Sequence, residues 1–143
     1  MSSGAVSRAD GIVLVNLGTP DAPTPPAVRR YLAEFLSDPR VVELPRWLWR
    51  PILHGLVLRL RPARSAKKYA AVWTPEGSPL AVHTAQQSAL LAARLASVPG
   101  AAGLRVAWAM RYGVPRIADA VAQLAAEGCR TLRVVPLYPQ FAR

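Results

Sequence analysis

The stretch that most restricts the fold is Ile12-Val13-Leu14-Val15, a branched apolar run set between Gly11 and Asn16-Leu17-Gly18-Thr19-Pro20. A short run without polar alternation reads as a strand covered on both faces, as in a parallel sheet. It must stop at 16–20, because Gly18 admits positive φ and Pro20 cannot donate to a ladder. Ligands of open parallel sheets bind beyond the carboxyl ends of the strands. Asn16 could therefore reach a ligand, and Leu17 could pack on an apolar one. The plainer alternative is a β–α turn in which Asn16 bonds to backbone.

The rest of the chain alternates. Thr24-Pro25-Pro26 is a helix start, a hydroxyl cap followed by proline. Val28, Tyr31, Leu32, Phe35 and Leu36 then repeat at helical spacing, and Asp38-Pro39 ends the helix. Ser78-Pro79 caps and opens a second helix that runs to about Ala96 and closes at Pro99-Gly100. Leu104 to Met110 reads as a strand ending in Arg111-Tyr112-Gly113. After Pro115 a helix with a buried stripe of Ile117, Val121, Leu124 and Ala125 leads to Gly128 as its C′ residue. Thr131 to Leu137 is the third strand, ending at Tyr138-Pro139-Gln140. Such an order predicts an α/β fold: a Rossmann-like parallel sheet flanked by helices, with right-handed crossovers. Asn16, Arg111 with Tyr112, and Tyr138 with Gln140 should then share one sheet edge and converge on one ligand.

Residues 40–75 break the alternation. No acid occurs from 44 to 75, where seven of the eighteen basic residues lie: Arg46, Arg50, Arg59, Arg61, Arg64, Lys67 and Lys68. They alternate with Trp47, Trp49 and leucines, the pattern of a basic amphipathic helix at a membrane interface or of a lip over an apolar, acid-bearing ligand. A helix packed on its own domain is the plainer alternative. The net charge of +10 calls for an acidic partner. Nucleic acid is the weakest choice, since the cations are interleaved with apolar groups and no nucleic-acid motif occurs. A dinucleotide is disfavoured because Gly18 stands alone where Gly-x-Gly-x-x-Gly is needed. Met1–Asp10 has no apolar core of a secretory signal, and no run of 18 apolar residues spans a membrane. The lone Cys129 fits a reducing compartment and reads as a buried, inert thiol. Localisation is expected to be cytoplasmic, peripheral on the inner face of the membrane where 44–61 makes contact.

Five stretches together resemble ferrochelatase, the family that inserts ferrous iron into a porphyrin. They are Val15-Asn16-Leu17-Gly18-Thr19-Pro20, Arg61 to Tyr69, Trp73-Thr74-Pro75-Glu76-Gly77-Ser78-Pro79-Leu80, Met110-Arg111-Tyr112-Gly113 and Leu137-Tyr138-Pro139-Gln140. The resemblance implies two chelatase half-domains with a porphyrin cleft between them. Residues 1–143 resemble the first half-domain, 40–75 a porphyrin-covering, membrane-facing insert, and the second half-domain is expected to be absent. The catalytic His and its acidic partner belong to that second half. Phe141 fits the family's pattern, whereas Ala142-Arg143 departs from it, as do Val114 and Arg116 around the proline. The chain is therefore expected to be a truncated product or a partial sequence, inactive alone.

A porphyrin is a flat apolar disc with carboxylates on one edge, so a site needs apolar walls, cations and an acid/base pair. Leu17 and 44–60 could wall the disc, and Arg61 and Arg64 could pair with its carboxylates. The resemblance places Tyr69, Ser78, Arg111, Tyr112 and Tyr138 in or behind the cleft, and Asn16 joins them from its place at a strand end. Arg111 next to Tyr112 could orient water or the incoming metal, the plainer alternative being a strand-end arginine in a structural ion pair. Of the two histidines, His54 is expected to pack in the apolar lip and His83 to be solvated or capping. No resident metal site and no tightly bound cofactor are expected, with Fe²⁺ as substrate. The porphyrin is protoporphyrin IX or coproporphyrin III. A different class remains open, a non-catalytic module that binds porphyrin or an anionic membrane.

Overall fold

A computed structural model describes residues 10–139. Gln140, Phe141, Ala142 and Arg143, and the leader reading of residues 1–9, lie outside the described residues. The elements run β1 (Gly11–Gly18), α1 (Pro25–Ser37), α2 (Arg46–Ile52), a π-helical turn (Leu53–Val57), α3 (Leu58–Val72), α4 (Pro79–Ala96), β2 (Arg105–Tyr112), α5 (Ile117–Ala126) and β3 (Leu132–Pro136). The sheet order is β2-β1-β3, with β1 central, and β1 pairs with β3 in parallel from Gly11 opposite Leu132 to Val15 opposite Pro136. The expected α/β sheet flanked by helices is thus the observed one. The described residues fall into two compact units, one drawn from 10–17, 83–111 and 115–139, the other from 18–82 and 112–114.

In the first unit Val13 and Val15 of β1, Ala107 and Ala109 of β2, and Ala120 and Leu124 of α5 form the core. Gly11 lacks a side chain because a Cβ there would meet Leu132, Cys129 and Leu124. The buried face of α5 is Ile117, Ala120 and Leu124, at i, i+3 and i+7. The expected stripe is corrected here, since Val121 and Ala125 are exposed. The helix closes with a Schellman motif: Gly128 (φ 93°) donates to the Ala125 carbonyl and Cys129 to the Leu124 carbonyl, both at 3.0 Å. Cys129 is half-buried rather than fully buried, its thiol 3.6 Å from the Asp10 carbonyl. At the amino edge of the sheet the Asp10 carboxylate accepts from the Arg130 N–H (2.8 Å), the Thr131 N–H (3.2 Å) and the Thr131 hydroxyl (3.3 Å). The backbone donors, Arg130 first, hold its pKa below the ordinary 3.8. A carboxylate lowered in this way adds stability above its ordinary value and loses it as the pH falls through the lowered one.

In the second unit α1 packs along α3. Ala27, Val28, Tyr31, Leu32 and Leu36 are buried on α1, and Leu58, Pro62 and Ala66 on α3. Thr24 stands at the N-cap of α1 without a side-chain cap bond, so the following prolines start the helix by their fixed φ. The insert is not one continuous helix. Pro51 lies inside α2, and the π-helical turn that follows contains Gly55 and buries Leu53, with Leu58 N–H donating to the Leu53 carbonyl. Proline and glycine both weaken an α-helical ladder, and a wide turn absorbs the defect. His54 in that turn is exposed, which corrects its expected packing role. Among the described residues no helix is long and apolar enough to cross a membrane.

Leu124→Ala should cost about 2–4 kcal/mol, because a fully buried leucine is removed. Val121→Ala should cost less than about 0.5 kcal/mol. Urea denaturation midpoints at constant slope measure both, and equal losses would return Val121 to the core.

Candidate functional site

In the first unit the sheet brings Asn16, Leu17, Arg111 and Tyr138 to the carboxyl ends of its three strands. Asn16 and Leu17 precede the last residue of β1, Arg111 is the penultimate residue of β2, and Tyr138 follows β3 by two residues. The ladder extends past β3, where Leu137 N–H donates to the Val15 carbonyl at 2.8 Å. β2 starts one residue later and ends two residues later than expected, so Arg111 and Tyr112 are strand residues rather than a loop cluster. Asn16 is half-buried and bonded on both sides of its amide. Its Nδ2 donates to Thr84 Oγ1 of α4 (3.1 Å), and its Oδ1 accepts from Leu17 N–H (2.8 Å). Its amide therefore ties β1 to α4 through a side chain and shapes the strand end through one backbone bond. Thr84 is fully buried. Tyr138 packs partly against the core beside α5.

The second unit holds Arg61, Arg64, Tyr69, Ser78 and Tyr112. Gly18 (φ 137°) and Gly113 (φ 92°) take conformations that favour glycine, and each is also sterically required. A Cβ on Gly18 would strike the Tyr112 carbonyl, and one on Gly113 the Thr19 carbonyl. Around this crossing Thr19 Oγ1 donates to Ser78 Oγ at 2.7 Å, with both side chains buried. The Tyr112 hydroxyl donates to Asp38 Oδ2 at 2.7 Å, and Gly113 N–H to Glu34 Oε2 at 3.1 Å. Four aromatic rings form a row. Tyr69 meets Tyr31 edge-on at 6.4 Å, Tyr31 stacks on Phe35 at 5.9 Å, and Phe35 meets Tyr112 edge-on at 5.1 Å.

The insert presents a groove of about 750 Å³ along α3. Leu56 and Leu60 line one part, and Arg61, Arg64, Lys68 and Tyr69 the other. Residues 61, 64, 65, 68, 69 and 72 share a helical face at i, i+3, i+4, i+7, i+8 and i+11. Burial raises the pKa of Tyr69, so its phenol stays a neutral donor, while the charge of Arg61 acts in the opposite sense. Three cations and a phenol beside a leucine wall suit a carboxylate on an apolar body. The two tryptophans of the insert differ. Trp49 Nε1 donates at 2.7 Å to the Leu36 carbonyl, which has no helical partner at the end of α1, whereas Trp47 is 77% exposed. His83 is exposed, with Nδ1 3.3 Å from Gln86 Oε1. Among the described residues no group of three or more His, Cys, Asp or Glu side chains could hold a metal ion.

The sequence reading gives no partner role to Thr84, Thr19, Asp38 or Tyr31. They lie 68, 59 and 74 residues from Asn16, Ser78 and Tyr112 respectively for the first three, and no local pattern marks them.

The fold and these side chains define an α/β protein with a cationic helical insert. A family model described as Ferrochelatase matches residues 9–143. The chain is 58% identical over 139 residues to the ferrochelatase of Azoarcus sp. strain BH72, covering 97% of this chain and 37% of that protein. It is 61% identical over 132 residues to the ferrochelatase of Aromatoleum aromaticum, covering 92% and 36%. It is 56% identical over 131 residues to that of Neisseria meningitidis serogroup C, covering 92% and 37%. The chain belongs to the ferrochelatase family. It spans little more than a third of the length of these curated relatives.

Tyr112→Phe keeps the ring against Phe35 and removes the bond to Asp38. It should lower stability by about 1.5–3 kcal/mol, the range for a hydrogen bond to a charged group. Thermal and urea denaturation check this, and an unchanged midpoint would remove the bond from the account.

Proposed function

We propose that this chain is the first half-domain of a ferrochelatase and supplies porphyrin-binding surfaces for the reaction in which Fe²⁺ replaces two pyrrole protons. The observation that supports this most is the α3 groove, where Arg61, Arg64 and Tyr69 stand beside Leu56 and Leu60. In this reading the groove leucines pack on the macrocycle, and Leu17 is proposed as an apolar contact from the first unit. Arg61 and Arg64 hold a propionate, Arg61 with the Tyr69 hydroxyl beside it. In the first unit Arg111 orients water or the incoming metal, and Asn16 and Tyr138 support the strand ends; in the second unit Tyr112 has the orienting role and Ser78 the supporting one. Residues 40–75 cover the porphyrin.

Metal insertion also requires a base that takes the two N–H protons. Both histidines of this chain are on the surface, so we assign the proton-accepting pair to further length of the kind the relatives carry. The isolated chain is then expected to bind porphyrin weakly and to insert little or no iron. Iron is substrate in this scheme, and the porphyrin is protoporphyrin IX or coproporphyrin III.

A second reading has its own observation. Trp47, Leu48, Leu56 and Leu60 are exposed on an insert whose residues 44–75 carry seven cations. A bilayer surface with anionic headgroups would take the indole and leucines and pair the arginines. Residues 44–61 are therefore proposed as a peripheral membrane contact on the cytoplasmic face, alongside porphyrin binding or in a module without catalysis.

Soret titration of the isolated chain with protoporphyrin IX tests the first reading, with iron insertion followed in the same cuvette. Arg61→Ala should weaken protoporphyrin IX binding about tenfold, the effect of losing one charge-assisted contact. It should leave the dimethyl ester unaffected, and equal affinities for the acid in both proteins would remove Arg61 from the site. Trp47→Ala should weaken binding to vesicles containing 30% phosphatidylglycerol, measured by co-sedimentation, without changing the denaturation midpoint. Unchanged sedimentation would exclude Trp47 from any membrane contact.

A further inference from the structure

We propose that the outer edge of β2 at Val106–Trp108 docks an extended segment of a second polypeptide, added as a short antiparallel strand whose side chains alternate apolar, basic, apolar. The proposal is independent of the porphyrin reading and lies wholly within the first unit. β2 is an edge of the described sheet. Its Arg105 N–H donates at 3.0 Å to the carbonyl of Asp10, the residue before β1. Successive residues of a strand turn their peptide groups to opposite sides, so Val106, Trp108 and Met110 face away from β1. Met110 bears this out: its N–H donates at 2.7 Å to the Pro115 carbonyl, and Arg116 forms a parallel bridge to it. At the other end Leu104 N–H donates to the Ala101 carbonyl at 3.0 Å. The chain thus occupies this edge itself at 104 and 110. Among the described residues no strand pairs with it at 106 and 108.

A slot of about 220 Å³ lies along this open stretch and is lined from both faces of the sheet. Ala107 packs with Ala120 and Leu124 of α5, so Val106 and Trp108 point to the opposite face, where Ser88 of α4 lines the slot. On the α5 face the slot is lined by Asp119 and Gln123. Asp119 is the one charged side chain among those lining it, in a chain of net charge +10. The slot therefore favours a cation where the rest of the surface favours an anion. An antiparallel strand here makes hydrogen-bonded pairs with Val106 and Trp108 and stands unbonded opposite Ala107. Residues directly opposite share a face. The outer two residues of an incoming triplet thus meet Val106 and Trp108, and the central one rises over the small Ala107 side chain toward Asp119. Branched aliphatic residues suit the outer places and Arg or Lys the centre, so main-chain bonds supply the attachment and the alternation supplies the selectivity.

The test is titration of the ¹⁵N-labelled chain with the peptide acetyl-Ala-Val-Arg-Val-Ala-amide at about 150 mM salt, followed by amide shifts. The Val106 and Trp108 amides should move saturably, together with the Trp108 indole. The same peptide N-methylated at both valines keeps every side chain but loses the donors that face β2, and it should move neither amide. Glutamate in place of the arginine should weaken binding about threefold or more. Asp119 Oδ2 also accepts from the Arg116 N–H at 3.3 Å, and Asp119→Asn keeps an acceptor for that bond. This variant should bind the arginine peptide about threefold more weakly, with an unchanged denaturation midpoint. No saturable shift, equal binding of the N-methylated peptide, a preference for glutamate, or no loss in Asp119→Asn would each overturn the proposal. So would movement of the Val106 and Trp108 amides on raising the protein concentration without peptide. That result would give the slot to a second copy through Leu132-Arg133-Val134, a triplet of the same pattern on the opposite edge of the sheet.

Discussion

The backbone crossing at Gly18 and Gly113 is the constraint on which the second unit depends. Two main-chain segments pass so closely that neither can carry a side chain at the crossing, because each glycine faces the other segment's carbonyl. Side-chain volume there would have to be accommodated by moving backbone, which packed interiors resist. The crossing fixes where Thr19 meets Ser78, where Tyr112 meets Asp38 and where Gly113 meets Glu34. Each of these bonds joins a strand-end residue to the helical part of the unit. The aromatic row begins at Tyr112 and carries the same order outward to Tyr69 on α3.

The candidate site residues therefore do two kinds of work. Arg61, Arg64 and Tyr69 present charge and a hydroxyl on an accessible helical face. Asn16, Ser78 and Tyr112 spend their polar atoms on Thr84, Thr19 and Asp38. Their value to a ligand is the shape they give the strand ends. A residue whose hydrogen bonds are already satisfied internally supports a site by fixing geometry, since freeing it would leave a buried polar group unpaired.

Much of the architecture was legible in the residues. The run at 12–15 and the stripe on α1 are strong periodic signals, and burial follows them. The α5 stripe was misread because the helix holds alanine at 118, 120, 122, 125 and 126. In such a helix several apolar stripes fit equally well, and only packing against the sheet selects Ala120 over Val121. The insert's charge and spacing pointed to α3 as a cationic face, whereas the two tryptophans looked alike in sequence. Their division into a bonded Trp49 and an exposed Trp47 depends on where α1 ends. The supporting partners were beyond reach for a similar reason, since a hydrogen bond across 59 to 74 residues leaves no local trace.

The π-helical turn at Leu53–Val57 sets the rotational phase of everything after it. Each residue of an α-helix advances the helix by about 100°. Deleting a single residue from that turn would preserve composition, charge and helix content almost unchanged. It would nonetheless swing Arg61, Arg64 and Tyr69 a quarter-circle away from their groove. The insert is thus more sensitive to a change of length at this turn than to substitution of its exposed residues.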